Sequence, residues 1–215
     1  MLLQRLLPFA ALVGTGAFVL SVAGDVPGTV ALAAKQRMPA AIATPGSPQD
    51  VALKDLRRKA AQGDADAQFK LGYAYSHGEG VAYDEEQAVA WFRRAAEQGN
   101  AKAQYFTGVM YASTNLRWQS VTQAARWYRK AAEQGVEGAQ YELGMMLTNG
   151  QGVEQNDCEA YVWLSIVATH PSDDPGPRGA HLVREDIARR LTPLQLEEAQ
   201  RRVRNWIAVF EKRKK

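Results

Sequence analysis

Gly63-Asp64-Ala65-Asp66-Ala67-Gln68-Phe69, Gly99-Asn100-Ala101-Lys102-Ala103-Gln104-Tyr105 and Gly135-Val136-Glu137-Gly138-Ala139-Gln140-Tyr141 are three versions of one phrase, each 36 residues after the last. The register holds beyond the phrase. Gly72, Gly108 and Gly144 share a place in it, as do Ala88, Ala124 and Ala160, then Trp91, Trp127 and Trp163, and Ala95-Ala96-Glu97-Gln98 returns as Ala131-Ala132-Glu133-Gln134. Self-similarity at a period of roughly 20–50 residues marks an array in which each unit buries its apolar face against its neighbours.

Within a unit the apolar residues fall into two helical stripes. Ala67, Leu71, Ala74 and Tyr75 lie on one face of a first helix, and Ala88, Trp91, Phe92, Ala95 and Ala96 on one face of a second, at i, i+3, i+4 spacing. The second-helix starts are marked by Asp84-Glu85-Glu86-Gln87, Ser120-Val121-Thr122-Gln123 and Asn156-Asp157-Cys158-Glu159. Each sets a capping side chain three residues before Gln or Glu, which satisfies the unpaired amides of a helix start. Gly99 and Gly135 follow Ala-Ala-Glu-Gln, where a chain leaving a helix favours a left-handed residue. Gly78-Glu79-Gly80-Val81 and Gly150-Gln151-Gly152-Val153 supply a turn with freedom for positive φ and an apolar residue to tuck back.

These residues carry a family resemblance. The pattern Ala-Gln-Phe…Leu-Gly-Tyr…Gly-Glu-Gly-Val…Asp…Ala…Trp-Phe…Ala-Ala…Gly resembles the Sel1-like repeat, a relative of the tetratricopeptide repeat, in units 63–98, 99–134 and 135–170. Leu53 to Gln62 resembles the last turns of a preceding second helix, with Leu56 at the place of Phe92, and residues 179–213 are similar to the closing helices of such arrays. Thr192 with Pro193 and Gln195 is an independent helix-start signal, for a helix running from about Pro193 towards Phe210 that caps the open end of the stack. The resemblance implies an all-α fold, a right-handed α-solenoid of Sel1-like, tetratricopeptide-like helix-turn-helix repeats whose first helices line the concave face. It also implies an adaptor or regulator in an envelope process.

The chain before the array reads differently. Met1 to Ala23 has one positive charge, Arg5, then an apolar stretch from Leu6 to Leu20 and small residues at Ser21, Val22 and Ala23. That is the layout of a secretory signal, assigned to residues 1–33 with cleavage before Gly24 or before Ala34. The alternative is an uncleaved anchor over residues 6–23, a stretch close to the roughly 20 residues a spanning helix needs. Residues 34–49, with Pro39, Pro45 and Pro48, read as a linker, and residues 50–215 as the repeat domain. A formal charge of +3 over 215 residues, with 46% hydrophobic and 23% charged residues, argues against a wholly disordered or polytopic membrane chain.

Recurrence separates scaffold from surface. The repeated tryptophans read as packing between units; an aromatic cage is the competing role. Positions on the first helices that differ between units are the candidate partner-binding residues: Tyr73, Lys70, Phe106, Val109, Met110, Glu142, Met145 and Met146. Phe106 stands where the other units have Lys70 and Glu142, and a flexible methionine pair beside it suits an apolar partner helix or peptide. The competing reading is that these side chains fill inter-repeat space. The middle unit also departs from the family pattern at its turn, Ser113-Thr114-Asn115-Leu116-Arg117-Trp118-Gln119. There Trp118 either folds inward or stands out as an aromatic anchor beside Arg117.

Catalytic signals are missing. His77, His170 and His181 fall in a turn, a loop and a late helix with no metal-ligand spacing, and the single cysteine, Cys158, excludes an internal disulfide and reads as inert or as open to intermolecular pairing. Gly78-Glu79-Gly80 joins two helices, unlike a phosphate-binding loop after a strand. No enzyme activity, cofactor or metal is expected. Seven basic residues between Arg201 and Lys215 face only Glu211, so the tail suits an acidic surface such as lipid headgroups, while nucleic acid is not expected. The leading expectation is an exported, periplasmic, non-catalytic scaffold binding a protein or peptide on its first helices. The alternative is a membrane-anchored envelope protein using residues 6–23 and the basic tail, with a cell-wall hydrolase a distant third.

Overall fold

Glycine-marked turns wind the repeats into helix pairs. The structure, a computed structural model, describes residues 44–113, 119–169 and 179–213, and among these every regular element is an α-helix. α1 (Pro48–Ala61) precedes three pairs: α2 (Ala65–His77) with α3 (Glu85–Glu97), α4 (Ala101–Ala112) with α5 (Val121–Glu133), and α6 (Glu137–Asn149) with α7 (Asp157–Thr169). α8 (Ala180–Arg190) and α9 (Pro193–Arg213) complete the described chain. The main packing runs between neighbours from α1 through α8, and α9 turns back onto α7. This is the α-solenoid the repeats call for.

The caps act where the spacing puts them. Asp84 Oδ1 accepts from the Gln87 amide at 3.0 Å, Ser120 Oγ from Gln123 at 3.3 Å and Asn156 Oδ1 from Glu159 at 2.9 Å. First helices are capped too, by Asp64 and Asn100, whereas the third begins at Val136, which has no side chain to offer. Gly63, Gly99 and Gly135 leave the second helices at φ of +96°, +93° and +85°, a region costly for residues with a Cβ.

A buried glutamine stitches each unit to the one before it. Gln68, Gln104 and Gln140 are nearly inaccessible and donate to the carbonyls of Ala60, Ala96 and Ala132 at 3.0, 3.2 and 3.1 Å. Their own side-chain oxygens are used in the first two units, where Gln98 and Gln134 donate to Gln68 and Gln104 at 2.7 Å. The repeated Ala-Gln and Ala-Ala-Glu-Gln phrases thus bring a second donor to helix-end carbonyls that also accept from Gly63, Gly99 and Gly135.

The tryptophans need correction. Trp91 and Trp127 are half-buried, packing an edge against the preceding unit while Arg94 and Lys130 cover their outer faces at 4.6 and 4.3 Å from the ring centroids. The residue that fills each pair is the next one: Phe92, Tyr128 and Leu164. Trp163 alone of the three is buried, because Trp206 of α9 meets it edge-on with centroids 6.2 Å apart, and Phe210 stacks on Trp206 at 4.5 Å. The largest buried cluster accordingly runs from α5 to α9, and the clusters around α1 to α4 are smaller. His77, expected in a turn, is the last residue of α2. Residues 1–33, read as a leader or anchor, nearly all of the linker, Trp118 and His170 lie outside the described residues.

Candidate partner-binding groove

Between them, α1, α2 and α4 leave a groove of about 980 Å³. α1 contributes Ala52, Leu53 and Leu56, α2 contributes Phe69, Lys70 and Tyr73, and α4 contributes Lys102 and Phe106. The rings form a connected floor. Phe106 stacks on Phe92 at 5.2 Å, tilts against Phe69 at 5.7 Å and meets Tyr73 edge-on at 5.9 Å. Tyr73 in turn stacks on the exposed His77 at 4.0 Å, and the Tyr73 carbonyl lies 3.1 Å from His77 Nδ1. An aromatic floor with half-exposed edges and lysines at the rim suits an apolar segment carrying negative charge.

Three sequence candidates, Lys70, Tyr73 and Phe106, meet in this groove. Two others do not belong on any open face. Met110 and Met146 are 7% and 6% exposed and sit inside the buried clusters, Met110 with Ala88 and Phe92 of the preceding second helix and Met146 in the cluster that runs from α5 to α9. They are packing residues, so the methionine pair expected to receive a partner is half core. Val109 and Met145 are half-buried against the α5–α9 cluster, away from the groove. Glu142 is half-buried near Tyr128 and Tyr141, whose hydroxyl pKa values are pushed up by burial first and then by the Glu142 charge.

Sequence reasoning missed Ala52, Leu53, Leu56, Phe69 and Lys102. Phe69 recurs as Tyr105 and Tyr141 and so passed for scaffold, although its copy stands at the start of the described array. A signal was present in the partial unit at Leu53 to Gln62, a second helix whose first helix is not among the described residues.

A second concavity of about 490 Å³ lies on α5 beside Gly152 and Val153, lined by Arg126, Trp127, Arg129 and Lys130. Two of its cations are engaged within the chain. Arg129 pairs with Glu159, which also accepts from Trp163 Nε1 at 3.3 Å, and Lys130 lies on Trp127. Among the described residues no group of three or more His, Cys, Asp or Glu could hold a metal ion, and no helix is long and apolar enough to cross a membrane.

The pairs coincide with recognised units. The Sel1 repeat matches residues 65–100, 101–136 and 138–168. A solved Sel1 repeat protein from Oxalobacter formigenes is 33% identical, with a TM-score of 0.56 over 63% of this chain and 98% of its own. The chain belongs to the Sel1 repeat family. A second solved structure, c5321, a protective antigen present in uropathogenic Escherichia coli strains displaying an SLR fold, is 29% identical with a TM-score of 0.45, over 77% of this chain and 42% of that one. None of the curated proteins compared matches the chain. Sel1 repeat proteins are generally scaffolds for protein–protein interaction and typically non-catalytic.

Proposed function

We propose that this protein is an exported, non-catalytic adaptor of the bacterial envelope that captures a protein or peptide in the groove between α1, α2 and α4. One observation carries the reading: Phe69, Tyr73 and Phe106 form a contiguous, half-open aromatic surface flanked by Lys70 and Lys102. Aromatic residues with such partial burial supply contact area at low entropic cost, and the lysines favour a partner with carboxylates beside its apolar residues. Export rests on Arg5, the apolar run Leu6 to Leu20 and the small residues after it.

The test is affinity capture from a native envelope fraction with wild type, Tyr73→Ala, Lys102→Glu and, as a remote control, Arg126→Glu. The partner should be lost with Tyr73→Ala and with Lys102→Glu and kept with wild type and Arg126→Glu; capture indifferent to Tyr73 and Lys102 contradicts the proposal. Intact mass of the recovered protein tests export, with a chain starting at Gly24 or Ala34 expected.

A specific feature supports a second reading. α9 leaves Arg201, Arg202, Arg204, Lys212 and Arg213 exposed, a surface suited to anionic headgroups if residues 6–23 remain as an anchor. Full-length mass in a carbonate-washed membrane pellet would favour that reading over a cleaved, free adaptor.

A further inference from the structure

In each complete pair the second helix presents an alanine and, four residues on, a large side chain to its own first helix. These are Ala88 and Phe92, Ala124 and Tyr128, and Ala160 and Leu164, all between 0% and 3% exposed. Each large side chain lies against a glycine of the first helix. A Cβ on Gly72, Gly108 or Gly144 would come within 2.8, 2.7 and 2.8 Å of Phe92, Tyr128 and Leu164 respectively.

α1 occupies the same place in the 36-residue register, with Ala52 and Leu56 standing where the first pair has Ala88 and Phe92. Among the described residues no first helix covers them. Ala52 is exposed, Leu56 is half-buried, and both line the groove with Phe69 and Tyr73. The fold therefore contains a helix slot whose required chemistry is displayed three times by the helices that fill its counterparts.

We propose that this slot docks a helix supplied by another protein: amphipathic, with glycine or alanine at its crossing over Leu56 and carboxylates to meet Lys70 and Lys102. The inference rests on the groove being the partner site and adds what the partner is. Charge selects the occupant. Lys70 and Lys102 are exposed and pair with no carboxylate among the described residues, and Glu79 is the one acidic residue of the groove's lining. Residues 29–41 of this chain fall at the first-helix place by the same offset, yet they carry Lys35 and Arg37, no carboxylate, and Pro39. A second copy offering α9 would bring Arg201, Arg202 and Arg204. Both bring net positive charge to the lysines, α9 even with Glu197, Glu198 and Glu211 counted, whereas an acidic helix from elsewhere does not. The nearest example within the chain is α6, which crosses Leu164 with Gly144 and carries Glu137 and Glu142.

The probe is therefore a labelled synthetic peptide with the sequence of residues 136–150, titrated into the full-length chain and followed by fluorescence anisotropy. Saturable binding is expected, weakened about tenfold by Ala52→Glu in the protein and about fivefold by Glu142→Lys in the peptide. Ala52 is exposed, so its variant should melt with wild type. No saturation up to about 1 mM peptide, or binding indifferent to both changes, overturns the proposal. A photo-crosslinking residue in place of Gln49 should join the peptide; a cross-link to residues 29–41 or to α9 of a second copy overturns it by naming another occupant. Native-partner capture that depends on Tyr73 and ignores Ala52→Glu removes this inference alone. Capture indifferent to both removes the groove reading with it.

Discussion

Gly108 of α4 lies flat against the ring of Tyr128 in α5, so close that a Cβ at position 108 would sit 2.7 Å from two ring carbons. Two effects compete on replacing it. Alanine in mid-helix is favoured over glycine by roughly 0.5–1 kcal/mol, but overpacking against a ring held at 3% exposure costs typically about 1–3 kcal/mol. The clash wins, since the obstacle is a buried ring with no free end. Gly108→Ala should lower stability by about 1 kcal/mol and Gly108→Leu by more, as read by urea denaturation. A stabilised Gly108→Ala would mean that the helix pair has slack at its crossing.

Gln104 links two units, donating to the Ala96 carbonyl and accepting from Gln134. Its replacement by leucine removes both bonds, but the Ala96 carbonyl keeps the Gly99 amide and the exposed Gln134 amide keeps the Gly99 carbonyl, so the cost is that of the lost bonds, about 0.5–1.5 kcal/mol each. Gln140 donates to Ala132 in the same way but receives no matching glutamine among the described residues. Gln104→Leu should therefore destabilise more than Gln140→Leu in parallel chemical denaturation.

Trp206 should act as the clamp of α9. Trp206→Ala removes a half-buried ring that touches Trp163 and Phe210, an expected loss of roughly 1–3 kcal/mol against the ~3–5 of a fully buried one. The diagnostic readout is fluorescence: Trp163 should become wetter, with red-shifted emission and easier quenching by acrylamide. Trp91 and Trp127 are already half-exposed and should not respond.

The Glu159 carboxyl gives a pH signature. Burial alone would raise its pKa, but the Arg129 hydrogen bond and charge, the Trp163 indole N–H and the Arg202 charge outweigh that and hold it below the ordinary value of 4.5. A folded-state pKa below the unfolded one contributes stability that is present above pH 4.5 and lost as pH falls through the lowered folded value. Glu159→Gln should thus melt below wild type at pH 7, and the gap should close in acid. A gap that persists at pH 3 would assign the residue's contribution to packing instead.

How much of this was legible in sequence depends on range. Helix starts at Asp84, Ser120 and Asn156 and exits at Gly99 and Gly135 are local devices, complete within a few residues, and could be read directly. Burial of Met110 and Met146 could not, because it depends on which face the first helix turns to a second helix some 20 residues away. Recurrence also misled at its edge. Phe69 looks like scaffold because Tyr105 and Tyr141 repeat it, but it sits beside α1, whose own first helix is not among the described residues, and the same aromatic becomes groove floor. Repetition identifies what a unit flanked on both sides buries; in the first described unit the same residues line a groove, which only the three-dimensional neighbours reveal.

On the proposed function the chain works through the α1–α2–α4 groove. Site-specific photo-crosslinking in the native cell tests it most directly, with the reactive residue in place of Lys70 inside the groove or of Arg126 on α5. A discrete adduct with another protein at position 70, absent at position 126 and diminished by Tyr73→Ala, is the predicted result. Adducts at position 126 alone, or equal adducts from both positions, would contradict it.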